Sequence, residues 1–331
     1  MRHISILIPK GDLILSSVVG PVKVFNWVNA VLRRDGLEPA YQVDLVGPGE
    51  ESLLHGGLFA VRPNKRLSEV SRTDLIIIPA LGGDVTACVP NNAEMVRWIN
   101  DRREAGAEVG SLCTGAFLLA ATGLLDGRSC TTHWMIADLF RRNYPQVDLR
   151  VERIITDLNG IYSSGGAYSF LNLVLHWVEK FNGRDMALQA SKMFEIDIDR
   201  GSQAGFIVFQ GMKDHGDKEV LSAQRIMEER HADGLNMERL PTDLALSPRN
   251  FARRFKEATG LTPLDYLQRV RVEAAKKKLE GGAGVNDTMY TSGYTDARSF
   301  REVFKRIAGM APAAYRARYA RLLPQQELVL N

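Results

Sequence analysis

The C-terminal third of this 331-residue chain repeats itself at an offset of 49 residues. Phe251, Phe255, Lys256, Gly260, Pro263 and Tyr266 recur as Phe300, Phe304, Lys305, Gly309, Pro312 and Tyr315, while Arg249 and Arg269 recur as Arg298 and Arg318. A fixed period shared by so many residue types commits this region to two copies of one supersecondary unit. Each copy contains a legible helix. Ser247 can cap the first, with Pro248 at the opening position, where a missing N–H costs nothing. Phe251 and Phe255 stand four apart and share one face. Gly260 suits the end of that helix, and Thr262-Pro263 can restart the next. In the second copy Asp296 is the capping residue, and Phe300, Phe304 and Ile307 form the apolar stripe.

Arg249, Asn250, Arg253 and Arg254 fall outside the first stripe, and Arg298, Arg301 and Lys305 fall outside the second. A shorter candidate helix precedes each, Met237–Leu244 and Asn286–Thr291. Two short helices, the second basic and outward-facing, match a helix-turn-helix. Between the copies, Pro263–Leu279 carries Leu264, Leu267, Val270 and Ala274 as an apolar stripe and reads as one helix of about 25 Å. Such a strut could place two reading helices in successive major grooves, about 34 Å apart on one face of DNA. Charge agrees: residues 231–331 hold 17 Lys and Arg against 11 Asp and Glu, a net +6, whereas residues 1–230 hold 25 against 28, a net −3. A basic tail half on an acidic front half suggests a polyanion partner. A helical repeat that merely packs, as in a protein-binding adaptor, explains the Phe positions but not the outward Arg.

Residues from about 231 to 320 resemble the DNA-binding domain of the AraC/XylS family of transcription regulators, through Ser247–Tyr266 and through Gly293–Lys305 with Gly309, Pro312 and Tyr315-Arg316. The resemblance implies that Arg249, Ala252 and Arg253 face bases or phosphates in one groove, and Ala297, Arg298 and Glu302 in the next. It also marks departures. Pro241 stands where Ala is usual, Met289 and Ser292 replace small and β-branched residues, and Glu302 stands where a basic residue is common. A carboxylate there repels phosphate yet can accept from a cytosine amino group, so the first unit is expected to carry more of the affinity.

Residues 1–195 alternate apolar runs with helical patterns, the mark of an α/β sheet. Candidate strands are Ile4–Pro9, Tyr41–Val46, Leu75–Pro79, Glu108–Leu112 and Ile161–Ser163. Candidate helices are Val22–Arg33, Ala93–Ala105, Thr114–Thr122, Trp134–Asn143, Tyr168–Phe181 and Asp185–Met193. The sharp feature is Glu108-Val-Gly-Ser-Leu-Cys113-Thr-Gly, a strand-to-helix elbow of the kind that presents nucleophiles. A cysteine at a helix N-terminus tends toward a lowered pKa, and the candidate proton carriers are His133 or an acid from the first loop.

Ser111–Arg128, Thr131-Thr-His-Trp134 and Gly165-Gly-Ala-Tyr-Ser169 resemble the class I glutamine amidotransferase-like superfamily, in its PfpI branch and specifically the GlxA type of regulator. That implies a flavodoxin-like parallel sheet with a cysteine elbow, followed by an all-α domain with two helix-turn-helix units. In PfpI-branch enzymes an acid in the first loop bonds the cysteine; Ser16-Ser17 stands there here, and no His follows Cys113 directly. The expectation is a sensor with no catalytic residue, whose effector is held by Cys113, Thr114, Ser17, Gly82, Gly83 and His133. An amino acid would suit backbone N–H groups at the elbow, and a quaternary amine would suit aromatic rings such as Trp134 and Trp177, although core packing explains both tryptophans as well.

The expected organisation is a sensor over 1–195, a linker with a helix (Asp217–His231) over 196–232, and a DNA-binding domain over 233–322. Double-stranded operator DNA, a small effector, RNA polymerase and a second copy docked through the N-terminal domain are the expected partners. No cofactor is expected, and Cys88, Cys113 and Cys130 lack metal-ligand spacing. No apolar run reaches membrane-spanning length and the N-terminus lacks a signal peptide pattern, so a cytoplasmic location is expected. The competing reading is a cysteine hydrolase or hydratase fused to a DNA-binding module.

Overall fold

The computed structural model describes residues 1–320, which form two compact units, one ending at Gln203 and one starting at Ala204. Strands of the first are β1 (Arg2–Leu7), β2 (Tyr41–Gly47), β3 (Ser52–Leu54), β4 (Phe59–Val61), β5 (Lys65–Arg66), β6 (Leu75–Ile78), β7 (Glu108–Ser111), β8 (Ser129–Cys130), β9 (Asp148–Leu149), β10 (Ile155–Leu158) and β11 (Ile161–Ser164). Seven of them make one sheet in the order β10-β11-β7-β6-β1-β2-β5, parallel throughout except for β10 against β11. Its helices are α1 (Ser16–Arg34), α2 (Val85–Asn91), α3 (Ala93–Glu104), α4 (Ala116–Ala121), α5 (Ala137–Asn143), α6 (Phe170–Asn182) and α7 (Arg184–Met193).

The run Leu75-Ile-Ile-Ile78 shows why these strands are apolar without interruption. Leu75 and Ile77 join Phe25 of α1 and Trp177 of α6 in one core, whereas Ile76 and Ile78 join Trp98 of α3 and Phe117 of α4 in another. Successive side chains point to opposite faces, so a sheet covered on both sides needs every position apolar. All five strands and all six helices expected here are present. The short strands β3, β4, β5, β8, β9, the antiparallel edge β10 and helix α2 escaped the sequence reading, because such short segments carry no resolvable period.

The second unit comprises α8 (Lys218–Glu229), α9 (Leu240–Asp243), α10 (Pro248–Thr259), α11 (Pro263–Glu280), α12 (Val285–Thr291), α13 (Ala297–Ala308) and α14 (Pro312–Tyr319). Two apolar clusters divide it into lobes. One gathers Val220, Met227, Leu240, Phe251, Phe255, Tyr266 and Leu267, and the other Val272, Leu279, Met289, Phe300, Phe304 and Tyr315. The unusual Pro241 sits in the first turn of α9, where proline is tolerated.

Two details differ from the sequence reading. Leu264 is 56% exposed, so α11 has no single stripe. Its first half buries Tyr266 and Leu267 in one lobe, and its second half buries Val272, Ala275 and Leu279 in the other. A strut gripped on two sides must change faces along its length. The first unit also runs past residue 195 to Gln203, while α8, placed in the linker by sequence, supplies Val220 and Met227 to the core of the second unit. The last two residues of the expected 233–322 domain lie outside the described residues.

Candidate functional site

At the carboxyl end of the sheet, β7 runs out at Ser111 and the chain turns sharply through Cys113. Cys113 has φ +53°, a conformation L-residues rarely adopt outside functional turns. The turn is pinned on each side: the Leu112 N–H donates to Ile78 O at 2.9 Å, and the Thr132 hydroxyl donates to Cys113 O at 2.8 Å. The Thr114 hydroxyl donates to Leu81 O at 2.7 Å, beside Gly82-Gly83. Those glycines lie against Asp12 of the first loop, whose carbonyl accepts the Gly82 N–H at 2.9 Å. The elbow, the β6 exit and the Thr131–His133 segment therefore converge.

Cys113 is only 6% exposed. Burial pushes its pKa above the ordinary thiol value, and the backbone N–H groups of Ala167 and Thr114 only partly offset this. The lowering expected from a helix N-terminus does not prevail, since α4 has only six residues and desolvation of a buried thiolate is the larger effect. His133 is half-buried, and burial lowers its pKa. Its Nδ1 accepts the Met135 N–H at 3.1 Å, which leaves Nε2 to carry the proton of the neutral ring. The ring lies beside Trp134 with centroids 5.4 Å apart.

Ser17 does not belong to this set. It is fully buried, its hydroxyl donates to Ile14 O at 2.6 Å, and it accepts the Ala80 N–H at 2.9 Å. Those bonds tie the start of α1 to the exit of β6 and leave the hydroxyl without a donor for a ligand. Trp177 is wholly core.

Sequence reasoning missed Gln203. It is 2% exposed, its Oε1 accepts the Gly166 N–H at 2.9 Å, and its Nε2 reaches Val151 O at 2.7 Å, Thr132 O at 3.0 Å and Arg153 O at 3.2 Å. Its side chain rests where a Cβ on Gly165 would stand, 2.7 Å from Cδ, and the His133 ring rests where a Cβ on Gly166 would stand, 2.2 Å from Cδ2. The Gly165-Gly166 pair thus admits both side chains, and Ala167, with φ +49°, turns its N–H back toward the thiol. The pair was a visible signal; its long-range partner was not.

In the second unit, α10 and α13 are capped alike. Ser247 accepts the Asn250 N–H at 3.4 Å, Asp296 accepts the Ser299 N–H at 2.6 Å, and Gly260 and Gly309 end the helices at φ +71° and +75°. Arg249 and Arg253 are exposed, and Asn250 is half-buried. Arg253 pairs with Glu257 at 2.7 Å and with Asn250 Oδ1 at 3.1 Å. On α13, Arg298, Arg301, Glu302 and Lys305 are exposed and Ala297 is half-buried, with Arg298 pairing Glu302 at 2.9 Å. Such i,i+4 surface pairs are worth only about 0.3–0.5 kcal/mol, so phosphates or base edges can displace them.

Arg254 departs from the expected basic face. Its guanidinium makes a two-pronged contact with Asp217 at 2.7 and 2.8 Å, and it also bonds Glu219. These bonds raise the Arg254 pKa and lower that of Asp217. The reason is positional: Arg254 precedes buried Phe255 and turns toward the N-terminus of α8, whose cap is Asp217 itself.

A model of the DJ-1/PfpI family matches residues 16–180, and a helix-turn-helix domain model matches residues 240–318. The chain joins a DJ-1/PfpI domain to an AraC-type helix-turn-helix domain. It is 27% identical over 288 residues to the HTH-type transcriptional regulator GlxA of Rhizobium meliloti, covering 85% of this chain and 86% of that one. Against the HTH-type transcriptional regulator CdhR of Pseudomonas aeruginosa it is 27% identical over 304 residues, 91% and 87% of the two chains. A transcriptional regulator structure from Vibrio parahaemolyticus superposes with TM-score 0.52 at 21% identity, over 58% of this chain and 98% of that one, which shows the α/β fold. This AraC-type chain is a DNA-binding transcription regulator.

Proposed function

We propose that this AraC-type regulator reads double-stranded operator DNA in two successive major grooves, with Arg249, Asn250 and Arg253 of α10 in one and Ala297, Arg298, Arg301, Glu302 and Lys305 of α13 in the other. A small metabolite held at the Cys113 elbow changes that binding. The observation that carries the reading is the pair of side-chain-capped helices α10 and α13, each with exposed basic residues, in two lobes that share the 18-residue α11.

The test is duplex binding by the full chain across a salt series. Affinity should fall by about 10³–10⁵ between about 50 and 200 mM salt if six to ten phosphates are neutralised. A flat response overturns the reading.

Cys113, Thr114, Gly82, Gly83 and His133 are the effector contacts, and an amino acid or quaternary amine is the effector class. The domain acts as a sensor without catalysis: the thiol is buried with a raised pKa and His133 Nδ1 is spent on Met135, and by the family resemblance Ser16-Ser17 stands where the enzymes carry their acid. Turnover of amides, isocyanides or α-oxoaldehydes that vanished in Cys113→Ser would overturn this. The regulator works in the cytoplasm as a homodimer through its N-terminal unit, within reach of RNA polymerase. Among the described residues no helix is long and apolar enough to cross a membrane.

A further inference from the structure

Gln203 is the last residue of the first unit, and the residues directly after it form a strap across both lobes of the second. Ala204–Phe206 make a single helical turn. The Phe206 ring then meets Tyr319 at 6.2 Å, edge to face, with the Arg318 guanidinium 5.6 Å above it. Next, Ile207 O accepts from the Nζ of Lys276, itself only 4% exposed, and the Phe209 N–H donates to Glu273 Oε2 at 3.2 Å. The Phe209 ring meets Tyr266 at 5.1 Å, and Met212 O accepts from Gln224 Nε2 at 2.8 Å. The strap thus binds first the lobe of α13 and α14, then α11, then the lobe of α8 and α10.

We propose that Gln203 is a positioning residue for the Cys113 site and the anchor of this strap, so that a change in the Gly166-Ala167 backbone passes by chain continuity to the grip on the two lobes. The buried amide of Gln203 has two N–H groups and one carbonyl, and these hold the glycine pair, the Thr132 carbonyl and the 151–153 segment together. A ligand that moves Ala167, whose N–H faces the thiol, must break or re-form the Gly166 bond to Gln203. The strap begins one residue later, and it cannot shift without altering contacts on α11, the helix that both lobes share. The inference rests on the effector reading of the Cys113 elbow, and coupling of this kind is reciprocal.

Reciprocity supplies the test, in the full chain and with no effector present. Gln203→Glu keeps the acceptor for Gly166 and removes the donors, and Phe209→Ala loosens the strap from its far end. Two readouts apply to each: the rate at which iodoacetamide alkylates Cys113, followed by peptide mass mapping, and hydrogen exchange at the amide of residue 209. Gln203→Glu should speed both by roughly tenfold, and Phe209→Ala should speed both as well, while exchange in β6 and β7 stays at the wild-type rate. Faster exchange at residue 209 with unchanged Cys113 alkylation in Phe209→Ala overturns the coupling. Unchanged Cys113 alkylation in Gln203→Glu overturns the positioning role. Faster exchange throughout β6 and β7 in either variant means general loss of structure and overturns both. A separate failure, of amino acids and quaternary amines to bind, would overturn the effector reading and leave these outcomes standing.

Discussion

Helices α10 and α13 stand 49 residues apart and are built on one frame: a cap that takes the third N–H, a Phe pair four residues apart, a left-handed glycine at the end, and a proline-started helix beyond. Their exposed faces are dressed differently. On α10, Arg253 leans on Asn250 and Glu257, and Arg254 is drawn off the surface by Asp217 and Glu219 of α8. On α13, Glu302 occupies the place of Arg253 and pairs with Arg298, while Arg301, at the place of Ala252, remains exposed. The repeated Phe and Tyr residues pack alike in both lobes, and Arg249 and Arg298 are exposed in both; the two faces differ at Ala252 and Arg301 and at Arg253 and Glu302. The charge that sequence reading assigned to the first lobe is smaller than four basic-face residues suggest, because Arg254 serves the fold.

If the frames are equivalent, they should fail alike. Phe255→Ala and Phe304→Ala, both at positions of 0% exposure, should each cost about 3–5 kcal/mol, measured by urea unfolding of the full chain. A much smaller cost in one lobe would break the equivalence. The faces should fail unequally. Arg253→Ala should weaken duplex binding by about 1–3 kcal/mol, whereas Glu302→Ala should leave it equal or tighter; competition binding at fixed salt decides, and the opposite order would sink the ranking of the lobes. Replacing Gly260 or Gly309 with Ala should cost each lobe about 1–2 kcal/mol, the penalty for a left-handed L-residue, again read from unfolding midpoints.

Two smaller effects concern pH. Arg254→Ala should lower the thermal midpoint of the second unit at neutral pH and weaken DNA binding less than Arg253→Ala. Because the Asp217 carboxyl is held below its ordinary 3.8, the stabilisation is present above that value and lost as pH falls through the depressed one. The gap between wild type and Arg254→Ala should therefore close in acid, and a constant gap would show that the ion pair is not its source. His133 behaves oppositely to a salt-bridged histidine. Burial holds its pKa below 6.5, so the unfolded chain takes up the proton first and the first unit loses stability as pH drops through that ordinary value. His133→Gln should flatten that slope in a pH series of unfolding midpoints.

Much was legible without coordinates. Leu75–Ile78 announced a strand covered on both sides, and Ser111-Leu-Cys113-Thr-Gly announced the elbow by placing small residues where the chain must turn. The unread parts are those made by partners distant in sequence. Ser17 looked like a polar residue at a ligand site, yet Ala80, 63 positions away, takes its hydroxyl. Leu264 fitted a stripe that the two lobes then ignored.

By itself the sequence determined the periods: the 49-residue repeat, the helix caps, the Phe pairs, the alternating α/β order and the cysteine elbow. These follow from local backbone chemistry and from hydrophobic spacing, which are written residue by residue. Only the tertiary structure decided that Arg254 faces α8, that burial raises the Cys113 pKa against the helix dipole, and that Gln203 bonds Gly166 from the end of the unit. Each of those depends on which groups distant in sequence come within hydrogen-bonding reach, and on how much water their meeting removes.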